Sequence, residues 1–555
     1  MEKMTIFDST PAFGIDLGTT NSCIAVIGNG NRPTILPIDK KITLPSCVMW
    51  KGDNEFIVGE EAYKNRGHKN VIYSVKRLMG SGRKVKLEYN DMMREFEPWE
   101  ISREILVALV AKAKQGIYKD IRDVVITVPA YFTNTQIEET KKAGEAANLN
   151  ILCIMKEPTA AALLYNQKFS SKEPKKVLLY DLGGGTFDAS VVLISSTQDS
   201  SLDDIYGLSS GNKKVLFSVL KVLGDTHLGG DDIDKELVHH LINHLLSQGV
   251  NLEDISSYTR ELLLLKAEYY KKLGIGTYQE SITINGKEVQ LILKSEDFIK
   301  ATEIVYKKTR FLVQQVLSDP IVGGNIDQII TVGGSTKSEL IQSWLKYDFP
   351  EIVINTSMNP DESVALGAAI QAKRSKFGND SITILDCLAM NIGVLSSGYI
   401  TSILSAGDQI PCSNFKLFTT MEKGQKQVAL DVYQGLTRFP EECTYLGTLE
   451  FNDLQVDEDK LARIVITLLV DSNGLLSIEA EIPGTGMRKL ELVTVNGASK
   501  KNIDDKKLVR WRRFAKTLNE EDRESLLNMI SRFSEGSLEE KEIVSFIQKH
   551  KKAIV

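Results

Sequence analysis

No stretch of this chain reaches the roughly 18 consecutive apolar residues that a membrane-spanning helix requires, and its N-terminus lacks the apolar core of a secretory signal. The cytoplasm is the expected address, with no membrane partner. Six cysteines, at Cys23, Cys47, Cys153, Cys387, Cys412 and Cys443, have neither the paired spacing of a zinc site nor the density of a disulfide framework. A reduced compartment fits them best. An excess of one charge is also lacking. The 67 basic and 73 acidic residues leave a net charge of −6, spread evenly, which argues against a nucleic-acid-binding surface. What remains is ordinary globular material, 42% hydrophobic and 25% charged, in a length that suits about three or four compact units.

Within that material the same turn occurs twice. DLGTTN at Asp16 to Asn21 and DLGGGTFD at Asp181 to Asp188 each follow an apolar, strand-like run and lead into another. Gly and Thr in such a turn present successive backbone N–H groups and hydroxyls, and an Asp at the strand end can hold a hydrated divalent cation. One glycine-rich turn is more often a tight turn than a nucleotide site. Two matched turns, with VGGSTK at Val332 to Lys337 as a third, predict paired domains that grip a nucleotide's phosphates from both sides.

The first half alternates strands and helices, with a strand over Asp123 to Pro129 and a helix over Thr135 to Asn148, an α/β pattern. The strand at Ile329 to Val332 runs through Gly333, Gly334 and Ser335 toward a helical stretch from Ser338, so a ligand could meet a helix N-terminus. Small residues at helical spacing from Asn359 to Ala372 predict a core helix behind the cleft. Near residue 380 the pattern changes to two-residue alternation. Val428, Leu430 and Val432 face one side, and DSNG at Asp471 to Gly474 supplies a turn between strands. A β-sandwich-like module is expected here. From Asn502 the chain turns helical, and Ser537 to Glu540 reads as a capping box opening a last helix. The polar stretch Ser195 to Asn212 reads as an enlarged surface loop.

Taken together, GIDLGTTNSCIAV, VKRLMG, VITVPAYF, EPTAAALLY, DLGGGTFD, GDTHLGGDDID, VGGSTK and NPDESVALGAA occur in an order that resembles the 70-kDa heat-shock (DnaK-like) chaperone family over nearly the whole chain. In layout the chain is similar to the minor HscC-like branch, and no EEVD-type tail implies co-chaperones with helical repeats. The resemblance implies an α/β actin-like, two-lobed ATPase domain over residues 1–379 and an interdomain linker over 380–387. A β-sandwich peptide-binding domain over 388–501 and a short α-helical lid over 502–555 follow. It also implies a monomer that hydrolyses ATP to ADP slowly with magnesium, and with potassium as an accessory ion. The implied partners are extended or unfolded polypeptides, a J-domain co-chaperone and a nucleotide exchange factor.

The resemblance also assigns residues. Asp16 and Asp181 would hold magnesium through water, and Lys76 would reach the γ-phosphate and the attacking water. Glu157, Thr186 and Asp188 would complete the catalytic group. Gly18, Thr19, Thr20, Asn21, Gly184 and Gly185 would cradle phosphate. Glu268, Lys271, Lys272, Gly333, Gly334, Ser335 and Lys337, with Asp361 nearby, would hold the nucleoside. Val394, Phe418, Met421, Val428 and Leu430 would line the peptide cleft, with Ser397 near its arch. Pro129, Ile137, Ile384 and Leu385 would couple the domains. Four positions depart from the family pattern. Lysine stands at Lys337 where a planar guanidinium is usual, and glycine at Gly274 where a hydroxyl is usual. Ile137 replaces an arginine, and Thr383 a linker leucine.

Plainer readings exist for single residues. Lys271 and Lys272 suit a solvated helix face, and Arg510, Arg512 and Arg513 around Trp511 suit one too. Phe418 and Leu430 alternate like any sandwich core, and His227 has no second ligand at zinc spacing. Two other functions share features of the chain. A sugar or acetate kinase would have the duplicated loops but no peptide module, and a scaffolding protein would bind ATP with weak turnover.

Overall fold

The computed structural model describes residues 11–28, 32–114, 120–169, 173–197, 214–284, 286–378, 382–451, 459–483, 487–492 and 520–534, with 542, 543 and 546. They fall into two compact units, one of residues 1–132 and 136–389, the other of 133–135 and 390–555.

The first unit is built on two sheets of matching plan. In one sheet the strands run in the order Asn150–Lys156, Asp123–Val128, Phe13–Asp16, Asn21–Ile27, Pro33–Ile35. In the other they run Val353–Asn355, Gln328–Val332, Lys175–Leu182, Phe187–Thr197, Lys214–Asp225, Ile382–Cys387. In each, a central strand turns back on itself antiparallel through one of the two glycine-rich loops. Its other edge lies parallel to the strand that arrives from a helix. The duplicated turn seen in the sequence is thus a duplicated sheet.

Composition explains how the halves close on each other. The helix Ser363–Phe377 carries Ala365, Gly367, Ala368, Ala369 and Ala372 fully buried or nearly so. A Cβ on Gly367 would stand 1.8 Å from the Ala160 carbonyl oxygen of helix Glu157–Phe169, and one on Gly14 would stand 2.1 Å from the Ala369 nitrogen. Backbone meets backbone here, which only small residues permit. The expected core helix is therefore present. A second core fills the other half, where Leu178, Tyr180 and Leu182 pack with Leu237, Leu241 and Leu263.

Element ends follow local chemistry. The strand expected over Asp123 to Pro129 ends at Val128 because proline has no N–H to donate to the ladder. The helix Asn134–Ala146 is followed by Asn148 in left-handed backbone (φ 59°), a common helix stop. Gly80 to Trp99 contains the hairpin Val85–Tyr89 and Met92–Phe96. His227 lies in a turn, its N–H donating to Asp225 Oδ1 at 2.7 Å. Ser195 to Thr197 end a strand, while the rest of the Ser195 to Asn212 stretch lies outside the described residues, as do the Trp511 arginines and the Ser537 capping box.

The second unit holds two four-stranded antiparallel sheets. Tyr399–Leu404, Asn391–Ser396, Val428–Gly435 and Thr444–Phe451 form one, and Cys412–Thr419, Arg463–Val470, Leu476–Ile482 and Met487–Leu492 the other. The DSNG turn joins two of these strands, with the Gly474 N–H donating to the Asp471 carbonyl at 3.0 Å. Alternation has its physical basis in burial. Leu430 and Val432 are buried, as are Ile464, Ile466 and Leu468 opposite Phe418, Lys416 and Asn414. In the described helix Glu520–Ser534, Leu526 and Ile530, one turn apart, are both fully buried. All six cysteines are free thiols.

Candidate functional site

Glycine dictates how closely the two loops approach. A Cβ on Gly18 would meet the Asn21 carbonyl oxygen at 2.0 Å, so the first loop needs glycine to make its own turn. A Cβ on Gly184 would meet Thr20 Oγ1 at 1.8 Å, and one on Gly185 would meet Thr19 Cγ2 at 2.5 Å. The loops, though far apart in sequence, therefore face each other in contact. Gly333, in left-handed backbone at φ 81°, brings the third loop against the Leu182 carbonyl. Together they wall a cleft of about 560 Å³. Asn21, Thr186 and Gly334 line it, as do most of the other residues expected to bind phosphate and nucleoside. Gly185 and Asp188 stand just behind this lining.

Charge converges at the floor of this cleft. Lys76 Nζ stands 2.7 Å from Glu157 Oε1, both buried. Lys76 belongs to a single 3₁₀ turn, Val75–Leu78, entered through Ser74 in left-handed backbone (φ 52°). Ser74 Oγ donates to Asp231 at 2.9 Å, which holds that strained entry in place. Thr127 Oγ1 donates to Asp16 at 3.2 Å, and the Ala130 N–H donates to Asp188 Oδ2 at 3.0 Å. Burial, with the Glu157 charge beside it, pushes Asp16 and Asp188 each up to about 7. Asp181 is raised as well, by burial first and then by Glu157, Asp188 and Asp16. Four carboxylates face one lysine, an arrangement that invites a cation. Asp188 Oδ1 and Thr20 Oγ1 are buried with no partner. The donor set is all oxygen, which suits a hard divalent ion such as magnesium, and the loops leave N–H groups and hydroxyls for its anion.

Farther along the cleft, Lys271 Nζ donates to the Gly230 carbonyl at 2.8 Å and to Asp234 at 2.6 Å. Ser335 Oγ donates to the Gly183 carbonyl at 2.8 Å, and Lys337 pairs with Asp361. Glu268 accepts from Lys272 and from Arg66, each at 2.7 Å. Burial favours its neutral form, but Arg66 and the two lysines outweigh that and lower the carboxyl to about 2.

Sequence reasoning missed three residues here. Arg66, buried between the rings of Tyr63 and Tyr73, ties the Tyr73 region to helix Ser257–Leu273 through Glu268. Arg77 donates to the Gly185 carbonyl at 2.8 Å and to Asp232 at 2.7 Å. Lys156, next to Glu157, reaches Asp386 at 3.0 Å and the Cys387 carbonyl.

The expected coupling residues have definite places. Pro129 ends the strand whose following N–H holds Asp188. Ile137 is buried. Ile384 and Leu385 stand opposite Phe217 and Ser218 in the Ile382–Cys387 strand, with Thr383 opposite Leu216. In the second unit, Val394 pairs with Val432, while Val428 and Leu430 stand opposite Phe451 and Leu449. These belong to one sheet, and Phe418 belongs to the other. Met421 follows the Phe418 strand and is 81% exposed. Ser397 sits at a left-handed turn position.

Residues 12–552 match the family described as Hsp70 protein. The chain is 32% identical to a chaperone protein DnaK of Mycoplasmoides gallisepticum, over 92% of its own length and 84% of the relative. It is also 32% identical to a chaperone protein DnaK of Gracilaria tenuistipitata var. liui, over 88% and 80% respectively.

Proposed function

The chain belongs to the Hsp70 family, and on that premise we propose that it is an ATP-driven chaperone whose slow hydrolysis switches its grip on extended apolar peptide segments. Members of this family are ATPases that act on client polypeptides. The observation that carries the proposal is the floor of the cleft, where a buried Lys76–Glu157 pair lies among three carboxylates raised by burial and mutual repulsion.

Magnesium, when bound, would neutralise phosphate charge and orient the phosphates. Asp16 and Asp181 would hold its water shell. Lys76 would place its ammonium against the terminal phosphate and the attacking water. Thr19, Thr20 and Thr186 would offer hydroxyls, and Glu157 and Asp188 would orient water. Catalysis by such a set is positioning and electrostatics rather than strong base chemistry. Glu268, Lys271, Ser335 and Lys337 would hold the nucleoside, with Asp361 fixing Lys337.

In the second unit, Val394, Phe418, Val428 and Leu430, with Met421 at the rim, would hold one bulky apolar side chain of an extended peptide, the backbone supplying hydrogen bonds. Coupling would run from Asp188 through the Ala130 N–H to Pro129, and from Glu157 through its neighbour Lys156 to Asp386. A J-domain protein and an exchange factor are the partners this cycle calls for. Where Ile137 carries no charge, Lys156, which pairs with Asp386 in the Ile382–Cys387 strand, would provide a charged contact instead.

Steady-state hydrolysis of ATP, with and without an apolar heptapeptide and a J-domain, tests this reading. Stimulation by both is expected. Tight ATP binding with no magnesium-dependent turnover would overturn it in favour of a scaffold.

A further inference from the structure

Resting on the reading of the cleft as an ATP site, we infer that it recognises the triphosphate strongly but discriminates weakly among purine bases. The phosphate loops take up part of the cleft, and this reading sets the base beside Leu273, Gly274, Ile275 and Leu340, which also line it. Three charged side chains of the lining are already committed to protein partners. Glu268 is held by Arg66 and Lys272, Lys271 by Asp234 and the Gly230 carbonyl, and Lys337 by Asp361.

The residues at the base end make few demands. Leu273 and Ile275 are 55% and 40% exposed and offer only hydrocarbon. Gly274 has no side chain, and a Cβ there would meet nothing within 4 Å, so the space beside the base edge is open. Lys272 and Lys337 carry compact ammonium groups, without the planar face of a guanidinium that could stack on one ring system. Ser338 and Glu339 also line this end, but Ser338 is only half-buried and Glu339 is exposed. Water can satisfy both, so a mismatched base leaves neither of them buried and unpaired.

That point sets the magnitude. A site rejects the wrong ligand by factors of about ten thousand when its buried donors and acceptors are left empty, whereas shape and hydrocarbon contact give factors of about ten to a few hundred. An open, apolar base end belongs at the bottom of the second range. Exchanging the adenine 6-amino group for an oxo group, as in inosine, or adding a 2-amino group, as in guanine, meets no committed partner.

The test is competition of ATP, ITP and GTP, each with magnesium, against a fluorescent ATP analogue bound to the full chain. Dissociation constants for the three within about tenfold of one another are expected. A larger preference for ATP would overturn the inference while leaving the ATP reading intact. Failure of every nucleotide, ATP included, to compete would overturn both. Ser338→Ala sharpens the result, since an unchanged ATP-to-GTP ratio is expected. A ratio that collapses toward one in that variant would show that Ser338 reads the base and would contradict the inference.

Discussion

Phe13–Asp16 and Lys175–Leu182 follow one plan. Each ends at or beside an aspartate, turns through glycine and threonine, returns antiparallel, and lies parallel to a strand on its other edge. Their equipment differs. The first loop brings the Thr20 hydroxyl against Gly184 and the Thr19 methyl against Gly185, so the second loop gives up side chains where the first keeps them. The second return strand adds Asp188, held by the Ala130 N–H of the opposite half. The buried cation that pairs with Glu157 at the floor, Lys76, comes from the first half. A repeated backbone places Asp16 and Asp181 at matching positions, and the side chains around them make the space between the two loops asymmetric.

The largest effect expected from breaking this asymmetry is in Lys76→Ala. It leaves Glu157 buried without its partner and, on the proposed reading, removes the charge that would face the terminal phosphate. Single-turnover hydrolysis should fall by about a hundredfold or more, and a rate within threefold of the parent would remove Lys76 from the catalytic group.

The symmetric part of the comparison is sharpened by Asp16→Asn and Asp181→Asn. If both hold the same hydrated ion, each should weaken magnesium dependence by about tenfold to a hundredfold, and by similar amounts. A loss confined to one of them would show that the two loops do not share the ion.

The contact between the halves is tested by Gly367→Ala. Its Cβ would fall 1.8 Å from a backbone oxygen that cannot move aside as a side chain can. A loss of about 3 kcal/mol is expected by thermal or urea unfolding, at the upper end of overpacking costs. A change below about 0.5 kcal/mol, the range of ordinary surface substitutions, would mean the helices do not meet this closely.

A smaller effect concerns pH. Asp16 and Asp188 are raised from 3.8 to about 7 in the folded protein. The native state therefore binds more protons than the unfolded state between these values, and the penalty for burying the charges is full above about 7. Without metal and nucleotide, the melting temperature should rise as pH falls from about 8 to about 5.5, and saturating Mg-ATP should flatten that slope. A melting temperature that falls over this range in the metal-free protein would contradict the assignment.

The turns were legible because sterics dictate their residues. Gly18, Gly184 and Gly333 each sit where a Cβ would strike backbone or a facing threonine, so the glycine pattern records the cleft. The small residues of helix Ser363–Phe377 record backbone contact in the same way. Partners across the cleft left no such record. Arg66 meets Glu268 at a separation of 202 residues, and Lys156 meets Asp386 at 230, and nothing local marks either lysine or arginine as buried. In the second unit, alternation identified the strands, yet a core valine and a peptide-contacting valine alternate alike. Val394 is fully buried and Met421 almost fully exposed, although the family pattern assigned both to one cleft.

The most direct test of the whole account is release of a fluorescent apolar peptide from the full chain on addition of Mg-ATP, followed by stopped-flow anisotropy. The account predicts that ATP accelerates release at least about tenfold over ADP, the scale of coupling typical between linked sites. Equal release rates with ATP, ADP and no nucleotide, from a protein shown to bind both peptide and ATP, would contradict it.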